Sequence, residues 1–289
     1  MVSKTGTDRP RPAQPAPLVL EGQIEPVSAQ DMASLAAAVA TLEGTSLVAR
    51  LSAMAGQQID LAARFVPARF QRYGAHATNL ALRAALHMAL TSLGKKPQPA
   101  SRHLHRSMAA MAGAAGGALG LAGLAVELPV STTLMLRAIA DIARSEGEDL
   151  LQPEAALACL EVFALGGPKA SGTALESSYF AVRTLLAQSV SEATRFVLAQ
   201  RVIDESAPVL VKFIAQIAAR FGIVVSQKVA AQAVPVLGAM SAAALNYAFA
   251  EHFQRLAKGH FTVRRLERHY GRLLVREEYE RLARQLAGK

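Results

Sequence analysis

The chain reads as all-α: a single irregular multi-helix domain over residues 28–289, behind a disordered Pro-rich tail over 1–27. Three observations predict this. Apolar residues recur at spacings of three and four through most of the sequence, the pattern of helices with one buried face. No run alternates β-branched and polar residues between hairpin turn signals. The apolar material is mostly Ala, Leu and Val, because 52% of residues are hydrophobic but only 5% aromatic, with no Trp. Small side chains of this kind suit close helix packing.

The elements follow in order. The tail MVSKTGTDRPRPAQPAPLVL lacks an apolar core of signal-peptide length and has polyproline II character. Ser28 caps a first helix through Leu42, with Asp31 as its capping partner, and Gly44 ends it. A second helix covers 46–65, and Pro67 starts a further segment. Residues 76–93 read as helix, with Leu80, Ala84, His87 and Met88 on one side; Gly94, Pro97 and Pro99 break it. Residues 101–125 form a glycine-rich helix stopped near Pro129. Residues 131–148 form the clearest amphipathic helix, with Thr133, Arg137, Asp141, Arg144 and Glu148 in one narrow polar stripe. Arg137 and Asp141 are i,i+4 neighbours there, and Asp141 and Arg144 i,i+3. Pro153 opens a helix that ends at Gly166-Gly167-Pro168. Residues 173–199 make one helix or two, and 206–220 and 223–233 follow. Pro235 is a start or a kink. Residues 236–257 are strongly apolar, with Asn246 as the one buried-looking amide. From Thr262 leucines at helical spacing carry an arginine-rich outer face, with Glu277/Arg281 and Glu280/Arg284 as pairs.

Charge bounds the partners. The formal charge is +9 and the pI about 10.0, a balance that favours anionic surfaces. No Asp or Glu occurs from Leu61 to Val126, where eight basic residues fall: Arg64, Arg69, Arg72, Arg83, Lys95, Lys96, Arg102 and Arg106. Arg64, Arg69, Arg72, Lys95, Lys96, Arg102 and Arg106 flank apolar helices and are candidates for contact with an anion or lipid headgroup; a solvated face is the plain alternative. Nucleic acid is not favoured, because no recognition motif or aromatic platform accompanies the charge. Cys159 is the only cysteine, so no intramolecular disulfide is possible, and a reducing, cytoplasmic setting is expected.

The basic tract feeds nineteen residues without a polar side chain, MAAMAGAAGGALGLAGLAV at 108–126. Gly113, Gly116, Gly117, Gly120 and Gly123 lie in it, and two GxxxG spacings (Gly113/Gly117 and Gly116/Gly120) let helix backbones approach closely. The length suits a bilayer, but Ala and Gly insert poorly. A buried soluble helix, a re-entrant segment and a span all remain open. A second small-residue apolar segment lies near 234–250.

Signs of chemistry are few. His103 and His105 point to different sides of a helix, His76 and His87 lie upstream, and no Cys pair or HExxH completes a metal site. No cofactor fingerprint occurs. A catalytic role would have to rest on Arg137, Asp141 and Glu127, which a solvated stripe explains as well.

From the glycine run onward the words of the chain resemble the EcsC family. They are Leu-Ala-Val-Glu-Leu-Pro at 124–129, Leu136-Arg137, Ile139-Ala140-Asp141-Ile142-Ala143, Gly147-Glu148-Asp149 and LEVFALGG at 160–167. Pro235-Val236-Leu237-Gly238-Ala239 with Asn246 extends the likeness, which covers most of 45–270. The motif positions are Glu127, Pro129, Arg137, Asp141, Asp149, Gly166, Gly167, Pro235, Gly238 and Asn246; Glu127 stands where Asp is more usual. The resemblance implies a helical protein of bacterial type with no assigned catalytic residues, in a family named for a gene beside those of an ABC transporter. Together these readings lead to a non-enzymatic accessory protein at the inner face of the cell membrane. It would meet anionic lipid or a membrane protein through a basic face and Gly/Ala-rich helices. The alternative is a soluble helical module with a hydrophobic cleft for a lipid or partner helix.

Overall fold

A computed structural model describes residues 26–44, 68–93, 124–167, 178–200, 204–232 and 242–288. The tail over 1–25, the expected helix at 46–65 and the glycine run up to Gly123 lie outside them. The described residues form eight helices and no strand, as the periodicity predicts.

Helix α1, Ala29–Leu42, starts at the expected cap: the Ser28 hydroxyl accepts from the Asp31 amide at 3.1 Å. Gly44 follows its end, where a Cβ would fall 2.4 Å from the Ala40 carbonyl oxygen. Helix α2, Ala68–Thr91, begins just after Pro67, eight residues earlier than expected. Leu80, Ala84 and His87 do share a face, but it is the exposed one. The core row is Ala77, Ala81, Leu82, Ala85, Leu86 and Ala89, with Met88 beside it.

Helix α3, Leu124–Ser145, runs through Pro129 rather than stopping at it. A proline this near a helix start removes one ladder bond, to Ala125. The face carrying Leu128, Met135 and Ile139 is buried against the core, and that burial holds the helix together. Helix α4, Pro153–Leu165, has the predicted bounds, with Pro153 in its first turn and Gly166 at its C-cap. Its ten residues from Ala155 to Ala164, Glu161 among them, are all buried, so α4 is enclosed on every side. Helix α5 is Ser178–Ala199. Helix α6, Pro208–Gln232, joins what were expected as two helices. Gly222 costs a helix about 1 kcal/mol against Ala, but buried Phe221, Val224 and Val225 on either side keep it continuous. Helix α7, Ala242–Tyr270, spans 29 residues, about 43 Å. It passes through Thr262 and stops at Gly271, whose φ of +89° suits glycine. Helix α8, Arg272–Ala287, closes the chain.

Helix α4 is the hub, packing against α2, α3, α5, α6 and α7. Phe163 projects from it into a cluster with Phe221, Phe249 and Phe253, at centroid separations of 5.0–6.1 Å. Helix α2 lies on α3 and α6, while α1 and α8 pack on α7 and on each other. Leu35 and Val39 of α1 join Tyr179, Phe180, Val263, Leu266, Val275 and Tyr279 in a second, smaller core. Glu43, just past α1, accepts from the first amides of α5, Ser178 at 3.3 Å and Tyr179 at 3.0 Å, and from the Tyr279 hydroxyl. It thus caps a remote helix.

The segment Pro208–Lys228 of α6 is long and apolar enough to cross a bilayer, with mean hydropathy 1.8. Leu210, Phe213, Ile217, Phe221 and Val225 face the core, so one face of the segment packs against the bundle, with 39% of it buried.

The two glycines after α4 allow close approach. A Cβ on Gly166 would sit 2.6 Å from the Phe253 ring, and one on Gly167 would sit 3.1 Å from Arg220. Arg220 donates to the Ala164 carbonyl at 2.8 Å, satisfying the end of α4. Gly166→Ala should therefore cost about 1–3 kcal/mol by overpacking. Gly222→Ala, where a Cβ meets nothing within 4 Å, should gain about 0.5–1 kcal/mol. Urea unfolding of the two variants checks both signs.

Candidate functional site

Three residues from distant parts of the chain meet where α3, α6 and α7 come together. The Lys228 ammonium donates to Glu127 Oε1 at 2.6 Å, and the Asn246 amide nitrogen donates to the same oxygen at 2.8 Å. The Lys228 side chain is fully buried and that of Glu127 is 3% exposed. The Phe249 ring lies under the ammonium, 5.0 Å from nitrogen to centroid, a cation–π contact strengthened by the lack of water. Burial pushes the Lys228 pKa down, and Glu127 opposes this.

Local structure places each group. Glu127 sits in the first turn of α3, where the positive end of the helix dipole favours a carboxylate. Lys228 lies four residues before the end of α6. Asn246 is in the first turns of α7.

The motif words found Glu127 and Asn246, but Lys228 was missed. Its signal was present: Lys228 continues the buried row Ile217, Phe221, Val224 and Val225 at spacings of three and four. A lysine in register with a core stripe must find an anion inside.

The other expected positions separate. Arg137 is exposed, and Asp141 pairs with Arg144 at 2.8 Å rather than with Glu127. These two lie ten and fourteen residues along α3 from Glu127, about 15 and 21 Å, so the three form no joint site. Pro129 is half-buried two residues past Glu127. Asp149 is exposed in a turn, accepting from the Leu151 amide at 3.0 Å. Gly166 and Gly167 serve packing. Pro235, Gly238, the five glycines of the run, Arg64, Lys95, Lys96, Arg102 and Arg106 lie outside the described residues, as do His103 and His105. Arg69 and Arg72 fall in the first turns of α2, and Arg83 is exposed farther along it. His87 is exposed and pairs with Glu205 at 2.5 Å. No group of three potential metal ligands occurs among the described residues. The buried Cys159 thiol is pushed far up by burial, as an inert core residue would be.

The far end of α3 is also charged but built differently. The arginines expected on an outer face turn inward. Arg264 grips Glu148 with two bonds, at 2.8 and 3.2 Å, and Arg268 bonds Glu148 and the Glu146 carbonyl. Arg265 bridges Glu146 and Asp31, each at 3.0 Å, and Lys258 adds to Glu146. Burial raises the Glu148 carboxyl, but Arg264 and Arg268 more than offset it and hold it low. Along α8, Arg281 pairs with Glu278 instead of Glu277, and Glu280 is buried. The acid–arginine turn 145–149 is stitched to α7 by these contacts.

Between the two ends, Arg183 grips Glu267 at 2.7 and 3.0 Å, and the Tyr179 hydroxyl lies 3.0 Å from His260 Nδ1. His260 Nε2 is buried without a hydrogen-bond partner among the described residues. Burial, then Arg183 and Arg264, push the His260 pKa well below 6.5.

A family model described as the EcsC protein family matches residues 25–266. No curated protein and no solved structure matches the chain.

Lys228→Met alone leaves Glu127 buried without its cation and should cost about 3–5 kcal/mol, read as a shift in the urea midpoint. His260 yields a pH dependence. Below pH 6.5 the unfolded chain takes up a proton that the folded one refuses. Its stabilisation is therefore complete above that pH and declines as the pH falls, by up to about 1.4 kcal/mol per unit. His260→Gln should flatten the stability profile below pH 6.5.

Proposed function

This chain belongs to the EcsC protein family, and from that premise we propose that it is a non-enzymatic, membrane-associated accessory protein. It works at the cytoplasmic face, where its Gly/Ala-rich segments meet the bilayer or a membrane protein and nearby basic residues meet anionic headgroups.

One observation carries the reading. The two small-residue apolar stretches attach to the same end of the bundle. The glycine run enters α3 three residues before Glu127, and 233–241 join α6, four residues past Lys228, to α7, four before Asn246. Because Glu127 accepts from both Lys228 and Asn246, the described residues that adjoin the two stretches meet at one place. The acid–arginine turn lies at the other end of α3, about 27 Å away.

Two further features fit. Val130, Ile223 and Tyr247, three of the nine large apolar side chains left exposed among the described residues, each lie within five residues of the buried trio. A tyrosine at such a position is at home between lipid and water. The first turns of α2 carry Arg69 and Arg72, and each basic residue near an anionic leaflet contributes about 1 kcal/mol.

Fractionation of lysed cells tests the reading. The protein should pellet with membranes at low salt. High salt should release it if headgroup charge dominates, and retention through alkaline carbonate should mark insertion. Recovery in the supernatant at low salt would overturn the proposal in favour of a soluble helical module.

A further inference from the structure

We propose that the cleft between the turn after α3 and the corner joining α7 to α8 binds a small zwitterion, a molecule that carries an ammonium group together with a carboxylate or a phosphate. The cleft lies at the end of α3 away from Glu127, and the proposal stands independently of the membrane reading.

The cleft has two walls of opposite sign. Its volume is about 400 Å³, and its lining comes from residues 147–155 on one side and 264–272 on the other. The first wall carries Glu148, Asp149 and Glu154, the second Arg264, Arg268 and Arg272. The acid on the second wall, Glu267, is taken by Arg183. The Gly147-Glu148-Asp149 word of the sequence, which the proposed function leaves without a role, forms part of the acidic wall.

The walls are pinned together at the base and stand apart at the mouth. Arg264 crosses to Glu148 with two bonds, the side chains 15% and 5% exposed, and Arg268 reaches Glu148 and the Glu146 carbonyl. Farther out, Arg272 and Asp149 are exposed, and the Glu154 side chain keeps 53% of its surface in water. Asp149 is held within its own turn by the Leu151 amide and the Gln152 side chain. Gly147 at φ +80° and Gly271 at φ +89° are the residues with left-handed backbone among the described ones. Gly147 lines the cleft, and Gly271 directly precedes Arg272. Each wall is thus set by a glycine turn before a ligand arrives, which lowers the cost of binding.

Opposed walls select the ligand class. A simple anion drawn to Arg268 and Arg272 faces Asp149 and Glu154 across the cleft, and a simple cation drawn to the acids faces the arginines. A molecule with both signs satisfies both walls. Its anionic group meets Arg272 and Arg268, which keeps 43% of its side chain in water; the guanidinium fork matches a carboxylate or a phosphate. The start of α8, with no acid in its first turn, adds to the positive side. The ammonium group meets Asp149 and Glu154. At roughly 30 Å³ for each water-sized group, the cleft takes about a dozen non-hydrogen atoms, enough for an amino acid or for phosphoethanolamine.

Calorimetric titration of the full chain tests the site. The probes are O-phosphoethanolamine, L-alanine and L-glutamine, with ethylamine, acetate and inorganic phosphate as their single-charge halves. A zwitterion should bind saturably with a Kd below about 1 mM, and about tenfold or more tighter than either half. Which probe binds tells a phosphate from a carboxylate. Arg272→Gln and Glu154→Gln alter exposed side chains on opposite walls, and each should weaken that binding about tenfold. Failure of all three zwitterions to bind at up to about 10 mM overturns the proposal. So do halves that bind as tightly as the whole, or native affinity in either variant. If a variant fails to fold, the comparison of zwitterions with their halves on the native protein decides.

Discussion

An ammonium group with no water around it must lie against an anion, and this requirement fixes how three helices of this protein meet. Lys228 finds Glu127, Glu127 also accepts from Asn246, and the relative register of α3, α6 and α7 follows from one carboxylate oxygen. The arrangement also sets direction. Helices α3 and α7 run the same way, because Asn246 meets Glu127 at one end and Lys258 and Arg265 meet Glu146 at the other. Helix α6 brings Lys228 back to the start of α3. Helix α4 then fills the space enclosed, buried on every side.

The two ends of this bundle are different materials. At one, among the described residues, a buried ion pair lies among apolar side chains. The other is a lattice of arginines and carboxylates in which most charges have two partners. Part of the net charge of +9 is therefore paired inside the molecule. Arg264, Arg265 and Arg268 bind α7 to Asp31, Glu146 and Glu148, while α8 docks through Val275 and Tyr279.

How much of this was legible in the sequence depends on what each residue answers to. Helix starts and stops written in local chemistry could be read: Ser28, Pro153 and Gly166 do what their backbone preferences dictate. Breaks inferred from Pro129 and Gly222 failed, because burial on neighbouring helices outweighed a local cost of a few kcal/mol at most. Which face of α2 is buried could not be read, since its core row is mostly alanine and the larger Leu80 faces outward. At the candidate site Glu127 and Asn246 stood out as motif residues. Their meeting did not, because 119 positions separate them and no local pattern encodes a partner at that distance. The inward turn of the C-terminal arginines was hidden likewise: it depends on acids more than a hundred residues earlier.

The placement of α1 has a consequence for how the chain comes off the ribosome. Helix α1 is the first described element to be made, yet it packs on α7 and α8, the last two. Roughly 200 residues separate Leu42 from Ala242, which at translation speeds of about 5–20 residues per second is a wait of some 10–40 s. Through that interval the nascent chain holds an amphipathic helix with no docking surface, and Glu43 has only the start of α5 to cap. The fold can therefore close around α1 only after α7 and α8 have been made.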